Sequence, residues 1–315
     1  MPRAFVRFAV RRTLLAALTV LLVSSAAMAL VRLAPGDALS DFEMSLEAAA
    51  AERERLGLDA PFLTQYAAWL GRAIRLDFGQ SLKYRRPVQD LIGERVGNTV
   101  LLGASALLLA TLIGLPAGIL TGSRRGPLAS LARGVSFALL SIPPLVTSFV
   151  LLLFAAATGL FPVGGMGALP GGGSIEVARY LALPCLAIAL PMAAVIERLQ
   201  SEAVRDALAD PSVRAARARG CSRARLVWRH ARRLSLKPVI ALYGVLVGTV
   251  LSGSFVVEIV MAWPGLGALT YEALVARDLY LVAGCAAAGA LCLSAGVLAS
   301  DLALAVADPR VTEPS

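Results

Sequence analysis

Residues 210–238 read Asp-Pro-Ser-Val-Arg-Ala-Ala-Arg-Ala-Arg-Gly-Cys-Ser-Arg-Ala-Arg-Leu-Val-Trp-Arg-His-Ala-Arg-Arg-Leu-Ser-Leu-Lys-Pro. The stretch lies between two apolar runs, each long enough to cross a bilayer. Asp210 can accept hydrogen bonds from the free N–H groups of a helix start, and Pro211 suits the first helical position. Residues 213–219 are mostly good helix formers, and Gly220 suits a left-handed closing turn. Ser222 can cap a second helix running towards Leu234. Ala215, Ala216 and Ala218 keep the first helix thin, so another surface can approach its backbone. Ten of residues 204–237 are basic, which predicts a cytoplasmic location. A loop that only set topology or touched anionic lipid would need charge alone, and neither caps nor a glycine break.

Composition agrees with a membrane protein. The 315 residues are 57% hydrophobic and only 16% charged, against about 25% charged in soluble domains. The net charge of +9 comes from 28 Arg and 2 Lys, clustered at the ends of apolar runs. Aromatic residues are few, so anchoring to lipid explains the charge better than nucleic acid does. Cys185, Cys221, Cys285 and Cys292 have no C-x-x-C spacing and read as free thiols. With His230 the only histidine, no metal site is expected.

Six membrane spans are predicted, at 13–31, 96–123, 135–160, 180–196, 238–257 and 279–300, an all-α polytopic fold. Arg3, Arg7, Arg11 and Arg12 precede the first. Ala27-Met28-Ala29 resembles a signal-peptide cleavage site, but nineteen uncharged residues exceed a signal core and suffice for a span. The chain divides into 1–32 (cytoplasmic end and first span), 33–95 (an extracytoplasmic region), 96–306 (a five-helix core with its cytoplasmic loop at about 198–237) and a cytoplasmic tail, 307–315. Phe62, Tyr66, Trp69 and Ala73 recur at helical spacing and predict an amphipathic helix at the outer interface. Pro143 and Pro144 fall inside the third span and Pro184 and Pro191 inside the fourth, where kinks are expected. The glycine-rich run through 164–173 is read as an external loop. Gly244, Gly248, Ser252, Gly253 and Ser254 permit close packing of the fifth span. Nineteen Lys and Arg residues fall in the segments taken as cytoplasmic, against Arg179 and Arg277 in the short external loops. Both termini are therefore expected inside.

Several chemistries are missing. A phosphate-cradling G-x-x-x-x-G-K-[ST] loop needs lysine after glycine, yet Lys83 and Lys237 both follow leucine. There is no H-E-x-x-H, no paired intramembrane carboxylate and no T-V-G-Y-G filter, so no catalytic residue is assigned. A stand-alone secondary carrier would need ionisable groups near mid-membrane, and often an inverted repeat. Neither is seen. Glu258 and Trp263-Pro264-Gly265-Leu266-Gly267 stand at the outer end of the fifth span. They read either as a gate or docking surface, or as an interfacial tryptophan with a simple turn.

The 210–238 stretch resembles the coupling loop of ABC-importer permeases in their peptide/nickel form. The matching residues are Arg214-Ala215-Ala216-Arg217-Ala218-Arg219-Gly220, then Arg229-His230-Ala231-Arg232, then Pro238. Leu33 to Asp37, Leu56 to Pro61, Asp77 to Ser81, Arg86-Pro87-Val88, Val256 to Gly267, Arg277-Asp278 and Asp308-Pro309-Arg310 follow the same family pattern. The glycine-rich outer loop departs from it. The resemblance implies a type I permease fold in a bacterial inner membrane. It also implies a second permease subunit (a distinct chain or a second copy), two cytoplasmic ATPases that bind ATP and Mg, and an extracytoplasmic binding protein. This chain would bind no cofactor and no nucleic acid, and would contact lipid. Peptides are the implied cargo, with nickel chelates, glutathione or other small solutes as alternatives.

Overall fold

The computed structural model describes residues 2–33, 60–75, 77–164 and 174–307. The segments 34–37 and 56–59, most of the glycine-rich outer loop and the 308–310 motif lie outside the described residues. Those described are helical apart from loops and one isolated antiparallel bridge between Gln80 and Pro87. Among the described residues, five helices are long and apolar enough to cross a membrane. They lie within α1 (Pro2–Leu33), α3 (Val88–Ser123), α6 (Ser174–Ala209), α9 (Tyr243–Val260) and α11 (Leu279–Ala307). At 1.5 Å per residue, the 36 residues of α3 and of α6 give rods of about 54 Å, well beyond the hydrocarbon thickness.

The expected third span is not one helix. α4 (Pro127–Leu140) and α5 (Pro144–Thr158) meet at a bend of 104°. Pro144 holds Pro143 in extended backbone (φ −62°, ψ 149°), so α4 stops before it and Pro144 begins the next helix. Each piece is only about 21–23 Å long, less than a full crossing. The predicted kink is thus a break. Pro184 and Pro191, by contrast, sit inside an uninterrupted α6. The fifth span also starts later than expected. Pro238 lies within α8 (Arg232–Ala241), and α9 begins after Leu242.

The chain forms two compact units. The first contains residues 101–263, and its core brings Leu102 and Ala106 of α3 against Ile188 and Ile196 of α6 and Val250 and Val257 of α9. A close helix contact of this unit lies along Gly114, Gly118 and Gly122, four residues apart on α3. A methyl group added at these glycines would stand 2.6–2.7 Å from the backbone carbonyl oxygens of Ala193, Glu197 and Ser201 on α6. Only glycine allows that approach. Within the same unit, a methyl at Gly296 of α11 would stand 2.4 Å from Val247. The tight contact of the fifth span is therefore supplied by its neighbour's glycine.

The second unit contains residues 10–100 and 264–294. Trp69 on α2 (Phe62–Ala73) is 1% exposed and packs with Met28, Leu91 and Leu281. Phe62, Tyr66 and Trp69 stack in series, and Tyr66 hydroxyl meets Ser25 of α1 at 2.6 Å. The amphipathic stripe is thus a packing face. Asp278, fully buried, accepts from Ser81 hydroxyl (2.6 Å), Lys83 N–H (3.1 Å) and Leu281 N–H (3.2 Å). It caps α11 and pins the 77–87 loop in one step. In that loop Tyr84 donates to Glu272 of α10 (Leu266–Val275), and burial together with this carboxylate pushes the phenol up to about 12.

The glycine contacts set a measurable expectation. Gly118→Leu requires α3 and α6 to separate by about 1 Å and should lower Tm in detergent by roughly 5 °C or more. Gly71→Ala, where an added methyl meets nothing within 4 Å, should leave Tm unchanged or slightly raised. A thermal-unfolding series on the two variants checks the contrast.

Candidate functional site

The 210–241 segment is built as its sequence suggests at its first helix. Asp210 has extended backbone and its carboxylate accepts from Ser212 N–H at 2.8 Å, starting α7 (Pro211–Ala218). The Ser212 hydroxyl and N–H hold the Asp210 carboxyl below the usual carboxylate range. Its folded-state pKa being depressed, the cap is fully present above the ordinary carboxylate pKa and is lost as pH falls through the lowered one. At the other end, Gly220 N–H reaches Arg217 O (3.0 Å) and Cys221 N–H reaches Ala216 O (3.3 Å), the paired bonds of a Schellman close. Gly220 has φ +83° and open space where a side chain would stand.

One face of α7 is inward. Val213 and Ala216 are 1% exposed and pack with Leu226, Leu208 and Cys221. The other face is bare: Arg214, Ala215, Arg217, Ala218, Arg219 and Gly220 are all exposed. Of the predicted coupling residues, Ala216 alone turns inside. A capped, eight-residue helix too short to be stable by itself is held by three apolar contacts and presents an alanine-lined basic surface.

The second helix differs from expectation. Ser222 has extended backbone but its side chain makes no capping bond. A short turn, Arg223–Arg225, runs into a π-helical stretch, Leu226–Ala231, and then α8. The wider π turn carries Trp228, Arg229 and His230, with Trp228 and Arg229 exposed and His230 half-buried. Such turns interrupt a regular ladder and concentrate at functional positions. α8 continues through Pro238 to Ala241, although the proline leaves the Leu234 carbonyl without its helical donor.

Two polar contacts tie this segment to the long helices, and a third joins those helices to each other beside it. Arg223 Nη2 donates to the Ser123 carbonyl at 2.5 Å, satisfying one of the free carbonyls at the end of α3. Buried Gln200 of α6 donates through Nε2 to Ser235 of α8 at 2.8 Å. Thr121 of α3 donates to the buried Glu197 of α6, one turn from Gln200. No group of three His, Cys, Asp or Glu side chains converges among the described residues to form a metal cage.

Residues 114–313 match the family described as the inner membrane component of binding-protein-dependent transport systems, and residues 5–103 match its N-terminal region. The chain belongs to this family. It is 34% identical over 308 residues to a Brucella ovis protein provisionally named a peptide permease, covering 95% of each chain. It is 31% identical to the oligopeptide transport system permease protein AppB of Bacillus subtilis, covering 96% of this chain and 98% of that one. Against the dipeptide transport system permease protein DppB of Escherichia coli the identity is 29%, over 97% and 98%.

This chain is therefore an ABC-importer permease with the all-α, multi-pass fold of its family. In this permease most of the 258–267 turn is packed inside. Glu258 and Trp263 are buried at 0% and 1% exposed, and Trp263 packs with Val257 and Met261. Burial leaves the indole no face for a soluble partner, nor for a membrane interface. Gly265 is buried, and Pro264 and Gly267 are half-buried. In the second unit Asn98 donates to the Pro264 carbonyl (2.8 Å) and Thr99 hydroxyl accepts from Leu266 N–H (2.7 Å), so α3 caps α10.

What the sequence reading missed was the G-x-x-x-G-x-x-x-G spacing of 114–122 and the buried Glu197 and Gln200 facing it. The four-residue glycine repeat was the available signal. The left-handed backbone at Gly220 makes a prediction independent of transport. A side chain there costs roughly 1–2 kcal/mol, more for a β-branched residue, while asparagine tolerates the conformation. In membrane vesicles Gly220→Val should speed tryptic cleavage at Arg214, Arg217 and Arg219, whereas Gly220→Asn should cleave like wild type. Equal rates for both would refute the strain account.

Proposed function

We propose that this permease lines the pathway of an ATP-driven importer of short peptides, beside a second permease subunit, with two cytoplasmic ATPases and an extracytoplasmic binding protein. The observation that carries the reading is α7, capped at both ends, its apolar face seated and its arginine–alanine face open. A thin, rigid helix of that kind suits a cleft in another protein. Peptide cargo is supported by the names of the relatives in Brucella, Bacillus and Escherichia.

In this reading both termini and the 198–237 segment face the cytoplasm, since the basic residues concentrate there. ATP and Mg bind the partner ATPases, and this chain hydrolyses nothing and holds no cofactor. Closure of the ATPase pair pushes α7, and the push passes through Leu226, Ser235–Gln200 and Arg223–Ser123 into α6 and α3. The membrane helices then alternate between inward- and outward-open arrangements. Mostly apolar, small-residue spans pass cargo without holding it tightly.

A tagged chain should co-purify ATPase subunits, and the purified assembly should hydrolyse ATP while the chain alone does not. Gly220→Asp should abolish uptake of a labelled dipeptide with the membrane level of the chain unchanged. Wild-type uptake in that variant would remove the coupling assignment.

A further inference from the structure

A cavity of about 600 Å³ opens between the end of α3 and the π-helical stretch that follows α7. Arg124 and Arg125 line it just past the end of α3 and Leu120 and Ile119 line it about one turn further down that helix, while Arg223 and Trp228 line it from the facing segment. Pro116 marks its depth: it lies seven residues before the end of α3, about 10 Å down a membrane-spanning helix. The cavity thus runs from a basic rim at the end of α3 to an apolar wall about 10 Å down that helix.

Its charge is unspent. No acidic side chain pairs with Arg124 or Arg125 among the described residues, and both are exposed. The negative end of the α3 dipole would ordinarily repel an anion here. Arg223 takes the Ser123 carbonyl, however, and leaves the two remaining guanidinium groups at the rim. Trp228 is 56% exposed, while the other two tryptophans, Trp69 and Trp263, are each 1% exposed. The Arg232 guanidinium lies 5.8 Å from the Trp228 ring centroid and steadies it. A half-exposed indole beside cations, at the end of a membrane helix, is the arrangement of a headgroup boundary.

We propose that this cavity holds one anionic phospholipid, its phosphate between Arg124 and Arg125 and its glycerol and upper acyl chains along Leu120, Ile119 and Trp228. A soluble partner protein could meet the arginines but could not reach the wall at the depth of Pro116. A free phosphate would leave that apolar wall uncovered. Only a ligand charged at one end and apolar at the other matches both halves. The site adjoins the segment proposed to bear on the ATPases, yet it stands on the cavity alone and requires neither peptide cargo nor a particular orientation.

The test uses the full chain purified in mild detergent, with native mass spectrometry against phosphatidylglycerol, phosphatidylcholine and inorganic phosphate. One phosphatidylglycerol should remain bound in preference to phosphatidylcholine, and millimolar phosphate should not displace it. Arg124→Gln with Arg125→Gln should weaken retention about thirtyfold, the factor corresponding to two headgroup-level arginines at about 1 kcal/mol each. Arg214→Gln with Arg217→Gln removes the same charge elsewhere and should leave retention unchanged. A second readout is fluorescence in nanodiscs where brominated phosphatidylglycerol is a minor component. It should quench Trp228 more than the same fraction of brominated phosphatidylcholine, and Trp228→Phe should abolish the difference. Unchanged retention in the Arg124/Arg125 variant, equal loss in the control, displacement by phosphate, or equal quenching by both lipids would each overturn the site.

Discussion

The close approach of α3 and α6 is the constraint on which the transport core rests. Three glycines on α3 face three backbone carbonyls of α6 at a separation no other residue permits. In a bilayer, where lipid is as apolar as leucine, hydrophobic burial gives helices little reason to associate. Dispersion contacts and interhelical hydrogen bonds must supply it. Both are present: the backbones meet along Gly114, Gly118 and Gly122, and Thr121 bonds the buried Glu197 beside them. Two long rods fixed in register then give the rest of the unit something stiff to attach to.

The 210–241 segment uses that stiffness. α7 by itself has too few residues to persist in water, and its own caps satisfy only its ends. Val213 and Ala216 seat it on Leu226, the short turn after it reaches α3 through Arg223, and α8 reaches α6 through Ser235. A force on the exposed arginine–alanine face therefore meets a short chain of contacts ending in the glycine-packed pair. Burial of Val213 and Ala216 fixes which face is offered outward, so the same residues that hold α7 also determine which residues it exposes.

Local chemistry made part of this legible in the sequence. Asp210, Pro211 and Gly220 each act within a turn of their own position, and each does what its residue type implies. Long apolar runs announced the spans for the same reason. Where two signals competed, the sequence was ambiguous. Residues 134–175 are uncharged throughout, which favours one span, yet Pro144 restricts Pro143 to extended backbone and the helix breaks at 104°. Trp263 read either as part of a gate or docking surface or as an interfacial residue beside turn-formers, whereas tertiary packing takes it inside. The roles of Asp278, Glu197 and Gln200 depend on partners far away in the chain, and no local pattern records such partners.

The central claim is that α7 moves with α3 and α6 as one body. Spin labels at Ala218→Cys and Leu112→Cys, with the four native cysteines replaced, would report it by pulsed electron–electron distance measurement in the assembled transporter. The account predicts a narrow distribution that keeps its centre with and without ATP, even as distances to the partner subunits change. A broad distribution, or one that shifts on nucleotide binding, would contradict it.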